Sequence, residues 1–156
     1  MAHYAFLNSD NEVVEVITGK DENDTTDLPS NYKSWEEYYE AQRTGLTCKR
    51  TSYNTYDDVY QDQSTGEAHA DQSKKFRGNY AAIGGKYDAS KDVFLPRKPH
   101  DSWVFDSTIG NLGQWKAPVN EPTIEDNQTL QWNEDTTTWD IYEWNSKTHI
   151  WELIEE

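Results

Sequence analysis

The side chains best suited to catalysis or metal binding are few and scattered in this chain. The four histidines stand at positions 3, 69, 100 and 149, and the single cysteine, Cys48, has no cysteine or histidine nearby. The spacing of a zinc site is therefore absent. Glu67, His69 and Asp71 alternate, so they would share one side of a strand and could bind a metal there. The alternative is that all three are solvated loop residues.

Motifs for nucleophilic or phosphate chemistry are also missing. No Gly-x-Ser-x-Gly elbow occurs, and Gly84, Gly85 and Lys86 lack the rest of a phosphate-binding loop. The 29 acidic residues guarantee some close carboxylates, but no spacing singles out a catalytic pair. We therefore predict a non-enzymatic protein without a cofactor or a bound metal.

Tryptophan, in contrast, follows a repeated pattern. The ten residues from Trp132 are echoed twelve positions later from Trp144, with Trp, Asn, Thr and Trp at matching places. If an Asn opens a four-residue turn, Trp132 opposes Trp139 across two antiparallel strands, and Trp144 opposes Trp151. The repeat predicts two hairpins that share residues 140–143 in a three-stranded meander. Each Trp pair should lie on one side of its ribbon, with the four rings in rows.

Looser versions of the same pattern occur upstream. An apolar residue followed by Asn or Asp, with a second apolar residue seven positions after the first, occurs at Leu7–Val14 and at Tyr87–Phe94. Trp103 to Trp115 resembles another member with an enlarged tip at 106–113. Five hairpins are predicted in all. The alternative is that β sequence rich in Asn and Asp produces such matches by chance.

One segment predicts a helix. Ser34 and Glu37 form a capping box at its start, and Gly45 is suited to ending it. The aromatic residues of this segment recur at helical spacing and should pack against the opening hairpin; they are Trp35, Tyr38 and Tyr39.

These elements predict a mainly β fold of consecutive antiparallel hairpins or meanders, with one short helix at about 35–44, long loops and an extended C-terminal part. A long loop is predicted at 61–75, because that segment lacks apolar spacing and caps. Pro-rich stretches at 95–99 and 117–122 predict stiff connectors. We predict two domains: an N-terminal body at 1–95, and an extended series of Trp-containing hairpins at 96–156.

Composition indicates how this chain can be stable. Val, Ile, Leu and Phe supply only 25 of 156 residues, whereas there are seven Trp and ten Tyr. Aromatic residues bury large areas, so several small aromatic cores are expected, which finish burying their surface against copies of the chain or a neighbouring protein. The net charge of −15 argues against direct binding of nucleic acid or anionic membranes.

Nothing in the sequence resembles a transmembrane helix or a signal peptide, so we expect synthesis in a cytoplasm. A single cysteine agrees with a reducing compartment.

Five blocks of the sequence stand out in order along the chain, at 47–55 (TCKRTSYNT), 76–84 (FRGNYAAIG), 87–89 with 94–96, 98–99 with 102–103, and 115–118. Together, and in this order, they resemble the signature of a small protein family of marine tailed phages, many of them cyanophages. The resemblance implies a virion-associated structural protein made in a host bacterium. It implies no chemistry.

Two functions remain open at this point. In the first, the protein is a structural or accessory virion component that decorates the capsid or attaches at the tail, neck or fibre base. It would then pack on other virion proteins in many symmetry-related copies. In the second, exposed Trp and Tyr side chains bind a carbohydrate of the host surface. Both hypotheses use the same candidate interaction residues, which are Trp103, Trp115, Trp132, Trp139, Trp144 and Trp151.

Overall fold

The computed structural model describes residues 1–154 and confirms a mainly β fold built from antiparallel hairpins, with one α-helix and one 3-10 turn. No helix in this range is long and apolar enough to cross a membrane. The chain divides into two compact units, 1–98 with 106–114, and 99–105 with 115–156.

The first unit is organised around a three-stranded sheet. Its strands are β1 (Ala2–Leu7), β2 (Val13–Gly19) and β3 (Thr47–Thr51), in the order β2-β1-β3. The central strand β1 is buried on both sides, because one side carries Tyr4 and Phe6 and the other carries Ala5 and Leu7. Two small cores result, one on each side of the sheet. The expectation of several small aromatic cores is met in this unit.

The opening hairpin differs from its predicted register. The Asn8 side chain accepts hydrogen bonds from the backbone N–H groups of Asp10 and Glu12, so Asn8 caps the turn as expected. Leu7, however, is opposite Val13 and not Val14, because the register shifts between Phe6 and Leu7. The predicted seven-residue spacing from Leu7 to Val14 is therefore wrong by one residue.

The helix α1 (Trp35–Ala41) begins where the sequence predicts. The Ser34 hydroxyl accepts a hydrogen bond from the backbone N–H of Glu37 at 3.1 Å. The helix ends at Ala41 and not near residue 44, and Gly45 adopts a positive φ of 77° in the turn that follows. The aromatic residues of α1 pack on the opening hairpin as predicted, with the ring centroids of Tyr39 and Tyr4 4.8 Å apart.

Two carboxylates of α1 close the outer edge of β3. Glu40 accepts a hydrogen bond from the backbone N–H of Cys48 at 2.8 Å, and Glu36 accepts one from the backbone N–H of Arg50. Both N–H groups would otherwise be unpaired, because β3 is an edge strand. This edge of the sheet is therefore unavailable to another strand.

Two short hairpins also belong to the first unit. They are β4 (Thr55–Tyr56) with β5 (Val59–Tyr60), and β6 (Lys86–Asp88) with β7 (Val93–Leu95). Tyr87 is opposite Phe94, which confirms the seven-residue spacing there. A turn at 53–54 separates β3, which ends at Thr51, from β4. The segment 61–75 is mostly irregular, with a 3-10 turn at Gln72–Lys74.

The tip of a further hairpin also belongs to the first unit. Its strands are β8 (Val104–Asp106) and β9 (Gln114–Lys116). The Asp57 carboxylate accepts hydrogen bonds from the backbone N–H groups of Asn111 and Leu112, each at 2.9 Å. The Asn111 side chain in turn donates to the Asp57 carbonyl at 2.8 Å. Asp57 thereby fixes the hairpin tip.

The second unit contains the predicted meander. Its strands are β10 (Gln128–Asn133), β11 (Thr138–Asn145) and β12 (Ile150–Ile154), paired antiparallel in the order β10-β11-β12. The side chains of Asn133 and Asn145 accept hydrogen bonds from backbone N–H groups two and three residues later. These contacts explain why Asn opens both turns.

Candidate functional site

The two Trp pairs of the meander are opposed as the repeat predicts. Trp132 is opposite Trp139 with ring centroids 5.2 Å apart, and Trp144 is opposite Trp151 at 5.4 Å. Both turns contain four residues, and the last of them has a positive φ, 53° at Thr137 and 57° at His149. The repeat in the sequence is therefore a repeat of hairpins.

The two pairs lie on opposite faces of the meander. Trp139 and Trp144 belong to the regular strand β11 and are five residues apart, and side chains an odd number of residues apart point to opposite faces. We call the face of Trp132 and Trp139 the inner face, and that of Trp144 and Trp151 the outer face. Each pair lies on one side of its own ribbon as predicted, and the expected rows of rings are two, one on each face of the meander.

The inner face is covered by a third tryptophan. The Trp103 ring lies 6.2 Å from Trp132 and 6.1 Å from Trp139, both in edge-on geometry. Trp132 is only 8% exposed as a result. The Trp139 indole N–H donates to the Val119 carbonyl at 3.1 Å, which holds the connector against the same face. These contacts make Trp103, Trp132 and Trp139 a small core.

Glu134 binds this core to the segment before β8. Its carboxylate accepts hydrogen bonds from the Ser102 hydroxyl and the Trp132 indole N–H, both at 2.6 Å, and from the Ser102 backbone N–H at 2.7 Å. The hydrogen bond from the Ser102 hydroxyl, followed by that from Trp132, holds the pKa of Glu134 below its ordinary value. The ionised form of Glu134 is thus the form that the folded unit favours.

A groove opens beside this core, and we call it the Trp groove. It has a volume of about 260 Å³ and is lined by Trp103, Trp115 and Trp139 together with the polar residues Lys116, Asn120 and Glu121. The Trp115 ring also packs edge-on against Phe105 at 5.3 Å. Three indole rings next to an amide and a carboxylate can both stack on a flat ligand and hydrogen-bond to it.

The outer face bears a continuous aromatic and aliphatic surface. Trp144 is opposite Trp151, and Tyr142 is opposite Leu153, so the four side chains form a block on one side of β11 and β12. The exposed fractions are 37% for Trp144 and 47% for both Trp151 and Leu153. Isolated exposed apolar residues are common, so a contiguous group of them is the feature that makes this face a candidate interaction surface.

The remaining reactive side chains have local roles. Cys48 is buried, and that burial, followed by the charge of Glu36, raises its pKa to about 12, so its thiol is a poor nucleophile. Glu67, His69 and Asp71 do not lie on a strand. The His69 ring accepts a hydrogen bond from the Asp71 backbone N–H at 2.9 Å. Within residues 1–154 no group of three or more His, Cys, Asp or Glu side chains is arranged to hold a metal.

The sequence interpretation thus named six tryptophans and the structure separates them. Trp103, Trp132 and Trp139 form the inner core, Trp115 lines the groove, and Trp144 and Trp151 form the outer face. The additional residues that the sequence interpretation missed are Tyr142, Leu153, Asn120, Glu121 and Glu134. The odd spacing of Trp139 and Trp144 already indicated two faces, whereas nothing local marks Asn120 or Glu121.

Comparison of the chain with models of protein families, with curated proteins and with solved structures gives no match.

Proposed function

We propose that the protein is a non-enzymatic structural or accessory component of a tailed-phage virion, which packs on other virion subunits. The observation that carries the proposal is the outer face, because Trp144, Trp151 and Leu153 form a contiguous apolar surface that remains exposed. The resemblance of the sequence blocks to a marine phage family supports a virion as the setting. A chain with so few aliphatic residues also gains stability from a neighbour.

Purified particles provide the test of this proposal. Mass spectrometry should find the protein at a fixed stoichiometry to a major structural protein. Replacing Trp144 and Trp151 together by Ala should remove the protein from particles without unfolding it, whereas Ile83→Ala, at a residue 60% exposed in the first unit, should leave incorporation unchanged. Detection only in infected-cell lysate and never in particles would refute the proposal.

A second candidate function, carbohydrate binding, is favoured by the Trp groove. Indole rings stack on the apolar side of a sugar ring, and Asn120 and Glu121 can hydrogen-bond to its hydroxyl groups. Titration with host-surface oligosaccharides, followed by tryptophan fluorescence, tests this function. Trp115→Ala should abolish sugar binding and preserve particle attachment, while Trp151→Ala should do the reverse. Loss of sugar binding with Trp151→Ala, but not with Trp115→Ala, would exclude the groove as the sugar site.

A further inference from the structure

The strand β12 has one side without a partner in the described chain. It forms the edge of the sheet β10-β11-β12, and within residues 1–154 no strand pairs with its other side. Ile150, Trp151 and Leu153 of this strand are each about half exposed, at 53%, 47% and 47%. An exposed apolar edge strand is a ready template for pairing with another chain.

The backbone groups that face outward from β12 follow from the hydrogen bonds of β11. The Trp144 N–H donates to the Asn127 carbonyl at 2.8 Å, on the β10 side of β11. Trp144 and Trp151 are therefore a non-hydrogen-bonded pair of the β11-β12 ladder. It follows that Trp151 directs its N–H and C=O away from β11, and so does Leu153 two residues later.

The first unit treats its edge differently. There the outward N–H groups of Cys48 and Arg50 on β3 are taken up by the carboxylates of Glu40 and Glu36. Within the described residues no carboxylate accepts from the outward N–H groups of β12; its sequence IWELI lacks Lys and Pro, its register with β11 is regular, and Glu152 is its one charged side chain. The β3 edge is thus closed by side chains of the same chain, whereas the β12 edge is open.

Charge indicates what the open edge can accept. Glu152 of β12 is directly opposite Glu143 of β11, and like charges in this position are unfavourable. Within the described residues each carboxylate accepts a hydrogen bond from an asparagine side chain, Asn127 or Asn145, and neither has a cationic partner. A Lys or Arg placed beside Glu152 on an added strand would offset this repulsion. A second copy of the chain, with its net charge of −15, would add to it.

We propose that the outer edge of β12 binds an extended basic segment of another protein, which adds to the meander as a fourth strand. The backbone of the added strand pairs with the outward N–H and C=O groups of Trp151 and Leu153. Its apolar side chains extend the outer face, and its Lys or Arg side chains lie next to Glu152. This inference rests on the proposed function, because it names the chemistry of the partner that the outer face contacts.

Synthetic peptides test the edge directly. Three fluorescent ten-residue peptides of alternating Val and Thr, carrying Lys, Gln or Glu at the same two positions, are titrated into the full chain and followed by anisotropy. The Lys peptide should bind about tenfold more tightly than the Glu peptide, and added salt should reduce the difference. Equal binding of all three peptides would overturn the proposal, as would a stable dimer of the chain in sedimentation that excludes the Lys peptide.

Variants separate the edge from the side chains that surround it. Leu153→Pro removes an outward N–H without breaking a bond to β11, so it should weaken peptide binding at least tenfold, while Leu153→Val retains that N–H and should bind like wild type. Glu152→Lys should invert the preference toward the Glu peptide, and it tests the proposal even if the proline variant fails to fold. Unchanged binding by folded Leu153→Pro, or an unchanged preference of Glu152→Lys, would contradict it.

The particle assay distinguishes the failure of this inference from failure of the proposed function. If folded Leu153→Pro loses the peptides but enters particles at the wild-type stoichiometry, the edge is not the attachment and this inference fails alone. If wild-type protein binds the Lys peptide but is absent from particles, the edge stands as a strand-binding site and the virion function fails.

Discussion

Single carboxylates hold distant parts of this chain together. Glu134 accepts hydrogen bonds from Ser102, 32 residues earlier, as well as from the Trp132 indole. Asp57 accepts from Asn111, 54 residues later. In a chain with 29 acidic residues, these two do not differ in sequence context from their solvated neighbours. Their importance arises from the backbone N–H, hydroxyl and indole donors that the fold brings to them.

Glu134 should make the second unit sensitive to acid. Its folded-state pKa is lowered, so it stabilises the folded unit above its unfolded pKa, and this contribution is lost as the pH falls through the native pKa. We expect the NMR signal of the Trp132 indole N–H to titrate with a midpoint below the ordinary glutamate value. Glu134→Gln should abolish this titration and Glu143→Gln should preserve it. A midpoint at or above the ordinary value would contradict the assignment.

Two neighbouring aspartates give a matched test of the hairpin tip. Asp57→Asn removes a charged acceptor of the Asn111 and Leu112 N–H groups and should weaken the tip by about 1.5–3 kcal/mol. Asp58→Asn removes only an exposed ion pair with Lys75 and should cost about 0–1 kcal/mol. Both positions have a positive φ that Asn tolerates.

Hydrogen exchange of the Asn111 and Leu112 amides gives the measurement for this pair of variants. The Asp57 variant should exchange faster at both amides, while the Asp58 variant should match wild type. Equal protection in the two variants would show that the carboxylate of Asp57 does not hold the tip.

At the scale of elements, the two Trp hairpins of the meander have the same design but place their Trp pairs on different faces. The Trp132–Trp139 pair is covered by Trp103, whereas the Trp144–Trp151 pair is exposed to solvent. The strands have the same turn and the same pairing. Burial is therefore the property that distinguishes the two Trp pairs.

Alanine substitutions should reveal this difference. Trp139→Ala removes contacts with Trp103 and Trp132 and leaves the Val119 carbonyl without its donor, so it should destabilise the second unit by about 2–4 kcal/mol. Trp151→Ala removes one half-exposed cross-strand partner and should cost about 0.2–1 kcal/mol. Urea unfolding monitored by circular dichroism measures both. A cost for Trp151→Ala equal to that for Trp139→Ala would contradict the assignment of the two faces.

The elements that the sequence predicted are those whose contacts are local. Asn133, Asn145 and Ser34 hydrogen-bond to backbone at most three residues away, and opposed Trp residues are seven apart, so their spacing is visible in the sequence. Other contacts join residues that are far apart in the sequence and that no local period relates. These are the hydrogen bonds from α1 that close the β3 edge, the hydrogen bonds of Asp57 to the hairpin tip, and the contacts that line the Trp groove. The one-residue shift at Leu7 results from a β-bulge, which likewise has no signal in the hydrophobic pattern.

At the scale of the whole molecule, the chain is acidic, poor in aliphatic residues and divided into two units. The chain leaves the first unit after Lys98, returns to it for 106–114, and leaves again at Trp115. The connector that follows has irregular backbone from residue 117 to 127. Segments of this kind have few backbone hydrogen bonds and open most readily.

Limited proteolysis should locate that weakness. A glutamate-specific protease should first cleave the free protein after Glu125, within the irregular connector, since the bond after Glu121 leads into Pro122 and resists such proteases. If the second unit packs on other virion subunits, the same bond should be protected in intact particles. Glu12, in the turn of the opening hairpin, is the internal control and should resist in both states because its backbone pairs with Asn8 and with Lys86. Equal cleavage of the connector in free protein and particles would argue against packing of this unit.

The opposite placement of the two Trp pairs has an evolutionary consequence. One duplication of a twelve-residue unit adds one strand, and the odd spacing of five positions from Trp139 to Trp144 places the new pair on the other side. A third copy would turn its pair back again. Growth by duplication therefore supplies a new exposed surface without disturbing the old core, so the newer copy is free to diverge toward a new partner while the older one continues to support the fold.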